Sequence, residues 1–254
     1  MKKLAHVTEA EVIAEFLKNE FYQDDFHHDR EKFEQVVLNA DLNDEIENNL
    51  RRALLFRRRG HMWREPPPDT QWWRVEIEPK DLDQIRVFPR AQWRKIAEGS
   101  FLLDDIVKRI RKNHYSSSVK PFVSKIHSLS YRLRSKPDSS AVMLIGVDPQ
   151  HPMTILEGNH RLTAALLISP EALRTQFQVL CGFSPNMRQC CWYETNVRTL
   201  WRYFKNRLEN VYDREADVNR ALNERPLTGR PTVSVVEAKA AAADAITNSA
   251  LEQS

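Results

Sequence analysis

The sequence predicts an α+β protein: a helical N-terminal region, a domain mixing helices and strands, and a C-terminal amphipathic helix. Three observations carry this. Apolar residues recur at helical spacing up to about residue 59, and the period changes to alternation after Pro66-Pro67-Pro68. An unbroken apolar run, Ala141-Val142-Met143-Leu144-Ile145-Gly146-Val147, has the length of a strand buried on both faces. With 254 residues, 41% hydrophobic and 29% charged, the chain can bury one substantial core plus an appendage.

Thr8-Glu9-Ala10-Glu11 has the capping-box spacing, so a helix is expected over about 8–22, with Val12, Ile13, Phe16 and Leu17 on one face. Phe33, Val36 and Val37, then Ile46, Leu50 and Leu54, repeat that spacing, which makes residues 1–60 a helical region. Its third helix is expected to stop at Arg57-Arg58-Arg59-Gly60, where cations meet the carbonyl end of the dipole and glycine takes the left-handed cap. The prolines at 66–68 fix φ and remove amide donors, marking a linker. Trp73, Val75 and Ile77 then alternate with charges and open a domain over 70–212. Leu103, Ile106, Val107 and Ile110 mark a helix whose other surface carries Lys108, Arg109, Arg111 and Lys112. The apolar run at 141–147, the turn Asp148-Pro149-Gln150-His151-Pro152 and Met153 to Leu156 read as a hairpin. A helix through Leu162, Ala165, Leu166 and Ile168 follows, then a strand over 177–183 and an amphipathic helix with Val197, Leu200, Trp201, Phe204 and Leu208. Residues 226–254 hold too few large apolar groups to offset ordering entropy and read as a flexible tail.

Composition removes whole classes of function. The six glycines are so widely spaced that neither a dinucleotide-binding G-x-G-x-x-G, nor a Walker loop, nor G-x-S-x-G exists. No two histidines stand four apart, which excludes H-E-x-x-H. Cys181, Cys190 and Cys191 are too few and too clustered for a disulfide framework or a four-ligand zinc site, which fits a reducing, cytoplasmic setting. The start of the chain lacks an apolar leader core and no long apolar run occurs, so no membrane partner is expected. The net charge of +3 hides a polarised distribution. Residues 1–50 carry five Lys/Arg against thirteen Asp/Glu, and residues 86–136 carry thirteen against three. The basic stretch is either a solvated face or a surface for nucleic acid.

One motif concentrates chemistry. Ile155-Leu156-Glu157-Gly158-Asn159-His160-Arg161-Leu162 sets polar and conformationally special residues between a strand and a helix, where free amides and a positive dipole end can hold a phosphate. Gly158 permits a tight turn and close approach of a ligand. Asn159 and His160 can donate hydrogen bonds, Arg161 can fork to two phosphate oxygens, and Glu157 can ligate Mg²⁺ or accept a proton. Each residue also has a structural reading, with Asn159 as a helix cap, Glu157 paired with Arg161, and His160 a satisfied buried polar group. Together, at a strand-to-helix joint, they make a candidate site.

This element, with Gly158-Asn159-His160-Arg161 after a hairpin strand and before a helix, resembles the G-x-H-R or G-E-R-R element of the ParB/sulfiredoxin-like superfamily. The likeness extends from about Trp72 to Phe183. Members include CTP-binding partition proteins, ATP-using sulfinic acid reductases and free-serine kinases, so the resemblance implies a ParB/sulfiredoxin-like domain with nucleotide phosphates at Gly158 to Arg161. Asn159 stands where sulfiredoxin has its reactive cysteine, and it offers no thiolate. His160-Arg161 replaces the Arg-Arg of partition proteins, and no helix-turn-helix domain follows. The pattern of acidic residue, Gly, polar residue and His-Arg matches the kinase-like relatives best.

The function expected on these grounds is nucleotide-dependent phosphoryl transfer or nucleotide hydrolysis, with ATP or CTP and Mg²⁺ as cofactors. Gly158, Asn159, His160 and Arg161 would hold phosphate, Glu157 and His160 would act catalytically, and Glu157 would orient the metal. The alternative from another class is a nucleic-acid-binding regulator or nuclease using residues 86–136. Arg198, Arg202 and Lys205 on the C-terminal helix are expected on its solvated outer face.

Overall fold

The computed structural model describes residues 1–136, 138–209 and Val218; the expected tail at 226–254 and the last three residues of the 70–212 domain lie outside these. In chain order the elements are β1 (Lys2–Val7), α1 (Glu9–Glu20), α2 (Arg30–Leu38), α3 (Glu45–Trp63), β2 (Gln71–Glu76), β3 (Ile85–Val87), α4 (Ala91–Ala97) and α5 (Leu103–Arg111). There follow α6 (Lys120–Ser135), β4 (Ala141–Gly146), β5 (Met153–Glu157), α7 (Asn159–Ile168), α8 (Pro170–Thr175), β6 (Gln178–Phe183) and α9 (Val197–Glu209). The described residues divide into two compact units: Met1–Val7 with Pro66–Leu200, and Thr8–Glu65 with the described residues from Trp201 onward.

The first unit is built on a six-stranded mixed sheet of order β1-β2-β6-β4-β5-β3. The apolar run at 141–146 forms β4 in its interior, parallel to β6 and antiparallel to β5, and every residue of β4 is buried. Burying Val142, Met143, Leu144 and Ile145 stabilises the unit by about 1.5–3 kcal/mol each. The hairpin to β5 closes with Gly146 opposite Met153, and Asp148 Oδ1 accepts the Gln150 and His151 amides at 2.7 and 3.1 Å, as the turn composition predicts. Val75, Ile85, Val87, Val142, Leu144, Ile155 and Val179 from the strands share one core with Ile106 and Ile110 of α5, Val123 and Ile126 of α6, and Leu162 and Ala165 of α7. The first turn of α7 meets the start of β4.

Residues 2–7, placed in the helical region by sequence, instead form the edge strand β1, antiparallel to β2 with Lys2 opposite Glu76 and Val7 opposite Trp72. All of β1 except Val7 is exposed, so backbone pairing rather than side-chain burial makes it a strand. Lys3 also lays its ammonium over the Trp73 ring, 4.4 Å from the centroid.

In the second unit the Thr8 hydroxyl accepts the Glu11 amide at 3.2 Å and starts α1 where the capping pattern placed it. Phe16, Leu17, Leu50, Leu54 and Leu55 build its core. Arg51 is buried among them and donates to the Val36 and Asp41 carbonyls at 2.9 and 2.8 Å and to Glu47 at 3.2 Å, which meets the requirement that a buried charge be paired. The helix expected to end at Gly60 continues to Trp63, with Gly60 inside it. Arg59 does not merely complement the helix end: its Nε reaches Glu20 at 2.6 Å, tying α3 to α1.

In α9, Arg198 and Lys205 are exposed as expected, and Arg202 departs from the expectation by turning toward Glu65. Thr199 and Asn206 are the buried residues of its inward side, Asn206 donates to the Glu65 carboxylate at 2.7 Å, and Arg202 donates to the Glu65 carbonyl at 3.2 Å. Polar groups fasten this helix, and its apolar stripe is exposed.

Candidate functional site

The candidate site forms where β5 ends and α7 begins. Gly158 is the only residue between them and has φ +98°, the left-handed region where a side chain is strained. A Cβ there would also lie 2.7 Å from Val142 Cγ1 of β4, so both backbone and packing demand glycine. As the residue preceding α7, Gly158 brings no side chain to cap the first turn. The Leu162 amide bonds the Gly158 carbonyl at 2.9 Å, which leaves the amides of Asn159, His160 and Arg161 as those without an intrahelical acceptor.

Asn159 is half-buried, and its Oδ1 is shielded from solvent with no hydrogen-bond partner among the described residues. It does not serve as the helix cap, since Gly158 holds that position. A shielded acceptor without a donor is costly, of the order of 1–3 kcal/mol, and a ligand bearing a hydroxyl or amino group would relieve it.

His160 packs its ring against Trp93 of α4 and Phe122 of α6, with centroids 5.3 and 5.0 Å away. Burial is the main cause that lowers its pKa from 6.5 to about 4; Lys125 and Arg161 push the same way and Glu157 opposes them. The ring is therefore neutral near pH 7, a hydrogen-bonding group rather than a cation.

Arg161 departs from the phosphate fork that the motif suggests. It is 6% exposed and turned into the fold, where it donates to the Ser140 hydroxyl, to the Ala141 carbonyl at 3.0 Å, and to Glu157 Oε1 at 2.9 Å. The arginine thus clamps the start of β4 to the end of β5, and the Glu157–Arg161 pairing weighed from sequence is present. Glu157 in turn is a carboxylate already neutralised by Arg161. Among the described residues no three His, Cys, Asp or Glu side chains gather to hold a metal ion, and Glu157 is the single carboxylate of the 157–161 turn.

The sequence singles out Glu157 to Arg161 but not their surroundings. Trp93, Phe122, Lys125 and Ser140 carry no motif of their own in the sequence. Only tertiary packing shows that they surround the motif. The other candidates lie elsewhere or are engaged. In the basic segment Arg94 donates to the Pro89 carbonyl at 2.7 Å, Arg109 meets Glu98 at 2.8 Å, Arg111 donates to the Leu166 carbonyl at 2.8 Å, and Lys108 pairs with Asp104 at 2.5 Å. Arg109 and Arg111 join α5 to the end of α4 and to α7, Lys108 and Arg94 make local contacts, and Lys95, Lys112, Lys120 and Arg134 of the same segment are exposed. Cys181, Cys190 and Cys191 are free and buried, and burial drives the Cys181 thiol well above its ordinary pKa, which makes it unreactive.

No protein-family model, curated protein or solved structure matches the chain.

Proposed function

We propose that the first turn of α7 binds a nucleotide through its phosphates, as a ParB/sulfiredoxin-like site would, and that the chemistry there is phosphoryl transfer or nucleotide hydrolysis. The observation that carries the reading is the pairing of two unmet needs in adjacent residues. The helix presents amides without a side-chain cap, which favour an anion, and Asn159 Oδ1 is a shielded acceptor that has no donor among the described residues. A nucleotide meets both, with phosphate oxygens for the amides and ribose hydroxyls for Asn159.

In this reading Arg161 positions rather than binds: it fixes Glu157 and the start of β4 so that the turn keeps its shape. Neutral His160 bonds a phosphate oxygen through its ring N–H. Glu157 accepts the proton of an attacking hydroxyl or water, held in place by its ion pair. Catalysis would rest on placement and on oriented amide dipoles.

Thermal shift and calorimetry with ATP and CTP test it. Nucleotide should raise the melting temperature, because binding to the native state stabilises it by mass action. Asn159→Ala should lower affinity by about tenfold without lowering the ligand-free melting temperature, because it removes a shielded acceptor that has no donor among the described residues. Glu157→Gln should bind nucleotide and lose any turnover. The reading falls if neither nucleotide binds, or if Asn159→Ala binds as tightly as the wild type.

A further inference from the structure

Helix α9 carries its apolar residues on the outside. At about 100° per residue, Val197, Leu200, Trp201, Phe204 and Leu208 fall within one arc of about 100°. All five are exposed, Trp201 by 70% and Phe204 by 51%. Isolated surface apolar residues need no explanation, but a continuous stripe of five on one helix marks a surface that is covered when the protein works.

The borders of the stripe indicate what covers it. Arg207 lies along one edge and Lys205 and Arg198 along the other, and all three are exposed. Glu209, at the end of the helix, meets Lys205 at 3.5 Å and offers no free negative border. Two copies pairing through this face would set cations against cations, so self-association is disfavoured. The back of the helix is fastened through Asn206 and Arg202 to Glu65, which leaves only the outward half available. A partner that closes around a helix cannot reach the rest, whereas a plane can accept half a cylinder.

We propose that the outward face of α9 lies on an anionic lipid surface. Trp201, Phe204 and the aliphatic side chains enter the boundary between headgroups and acyl chains, and the flexible stems of Lys205, Arg198 and Arg207 carry their charges up to the lipid phosphates. The 13-residue helix, about 20 Å long, lies flat in this arrangement. Among the described residues no helix is long and apolar enough to cross a membrane, and a surface-lying helix needs no such length. Contact with lipid was not expected from sequence, because an apolar leader core and spanning runs, the two signals weighed there, say nothing of a helix lying on the surface.

Co-sedimentation of the full chain with vesicles tests the proposal, comparing phosphatidylcholine alone with phosphatidylcholine containing phosphatidylserine. The chain should pellet with the anionic vesicles, stay in solution with the neutral ones, and release as salt rises. Trp201→Ser with Phe204→Ser should abolish pelleting, and Lys205→Glu with Arg207→Glu should weaken it by about tenfold or more. These side chains are exposed, so circular dichroism and nucleotide affinity should be unchanged in both variants. Three results would overturn the proposal. One is no pelleting with anionic vesicles, and another is pelleting that both double variants retain. The third is a dimer in light scattering that the Trp201/Phe204 variant dissolves without any vesicle binding, which would assign the face to a second copy.

Discussion

Arg161 and His160 are neighbours with opposite relations to water and charge. The Arg161 guanidinium satisfies Glu157 and the first carbonyl of β4 from inside the fold. Its removal leaves a carboxylate and a carbonyl without their donor. Arg161→Ala is expected to destabilise the chain by about 3–5 kcal/mol, read as a lower midpoint in chemical denaturation; a change under about 1 kcal/mol would show that the clamp carries little. His160 acts through pH. Its folded pKa of about 4 lies below the ordinary 6.5, so between those values the unfolded chain binds more protons than the folded one. The contribution of neutral His160 is therefore complete above pH 6.5, is lost as pH falls toward 4, and amounts to at most about 3 kcal/mol. Denaturation midpoints across that window should fall with pH in the wild type and flatten in His160→Gln. An anion seated on α7 would favour the protonated ring, so ligand binding at mildly acid pH should take up protons.

Among the elements, those with a periodic apolar face or a capping residue could be read from the chain. The helix starting after Thr8, the buried strand β4, its hairpin with β5, and α7 after Gly158 all stand where the pattern placed them. Asp44 shows the local logic: its Oδ1 accepts the Ile46 and Glu47 amides at 3.0 and 3.2 Å and opens α3. Asp44→Ala should cost about 1 kcal/mol, measurable as a shift in thermal unfolding, and an unchanged midpoint would mean that solvent serves those amides as well. Elements whose cause is remote could not be read. Strand β1 exists because β2 offers it a paired edge, and nothing in Lys2 to Val7 alternates strongly enough to announce it. Helix α3 passes through Gly60 because packing outweighs the roughly 1 kcal/mol helix penalty of one glycine. The outward stripe of α9 looks like a core face in sequence, since the periodicity fixes an arc but not its direction. The same blindness applied to Arg161, whose spacing from Glu157 is right for an ion pair and equally right for a phosphate fork.

Across the whole molecule, the residues with chemical potential converge in the sheet unit, where β5 passes into α7 beneath α4 and α6. The motif was legible because glycine is scarce in this chain and Gly158 stands out. Its immediate shell was not, because Trp93, Phe122 and Ser140 come from three separate segments joined only by the fold. The central claim is that the first turn of α7 receives nucleotide phosphate. The most direct measurement follows backbone amide resonances in the uniformly labelled chain during titration with ATP or CTP. The amides of Asn159, His160 and Arg161 should move first and furthest, with inorganic phosphate moving the same three more weakly. Saturable changes confined to other residues, or none at all at nucleotide concentrations well above those of the protein, would contradict it.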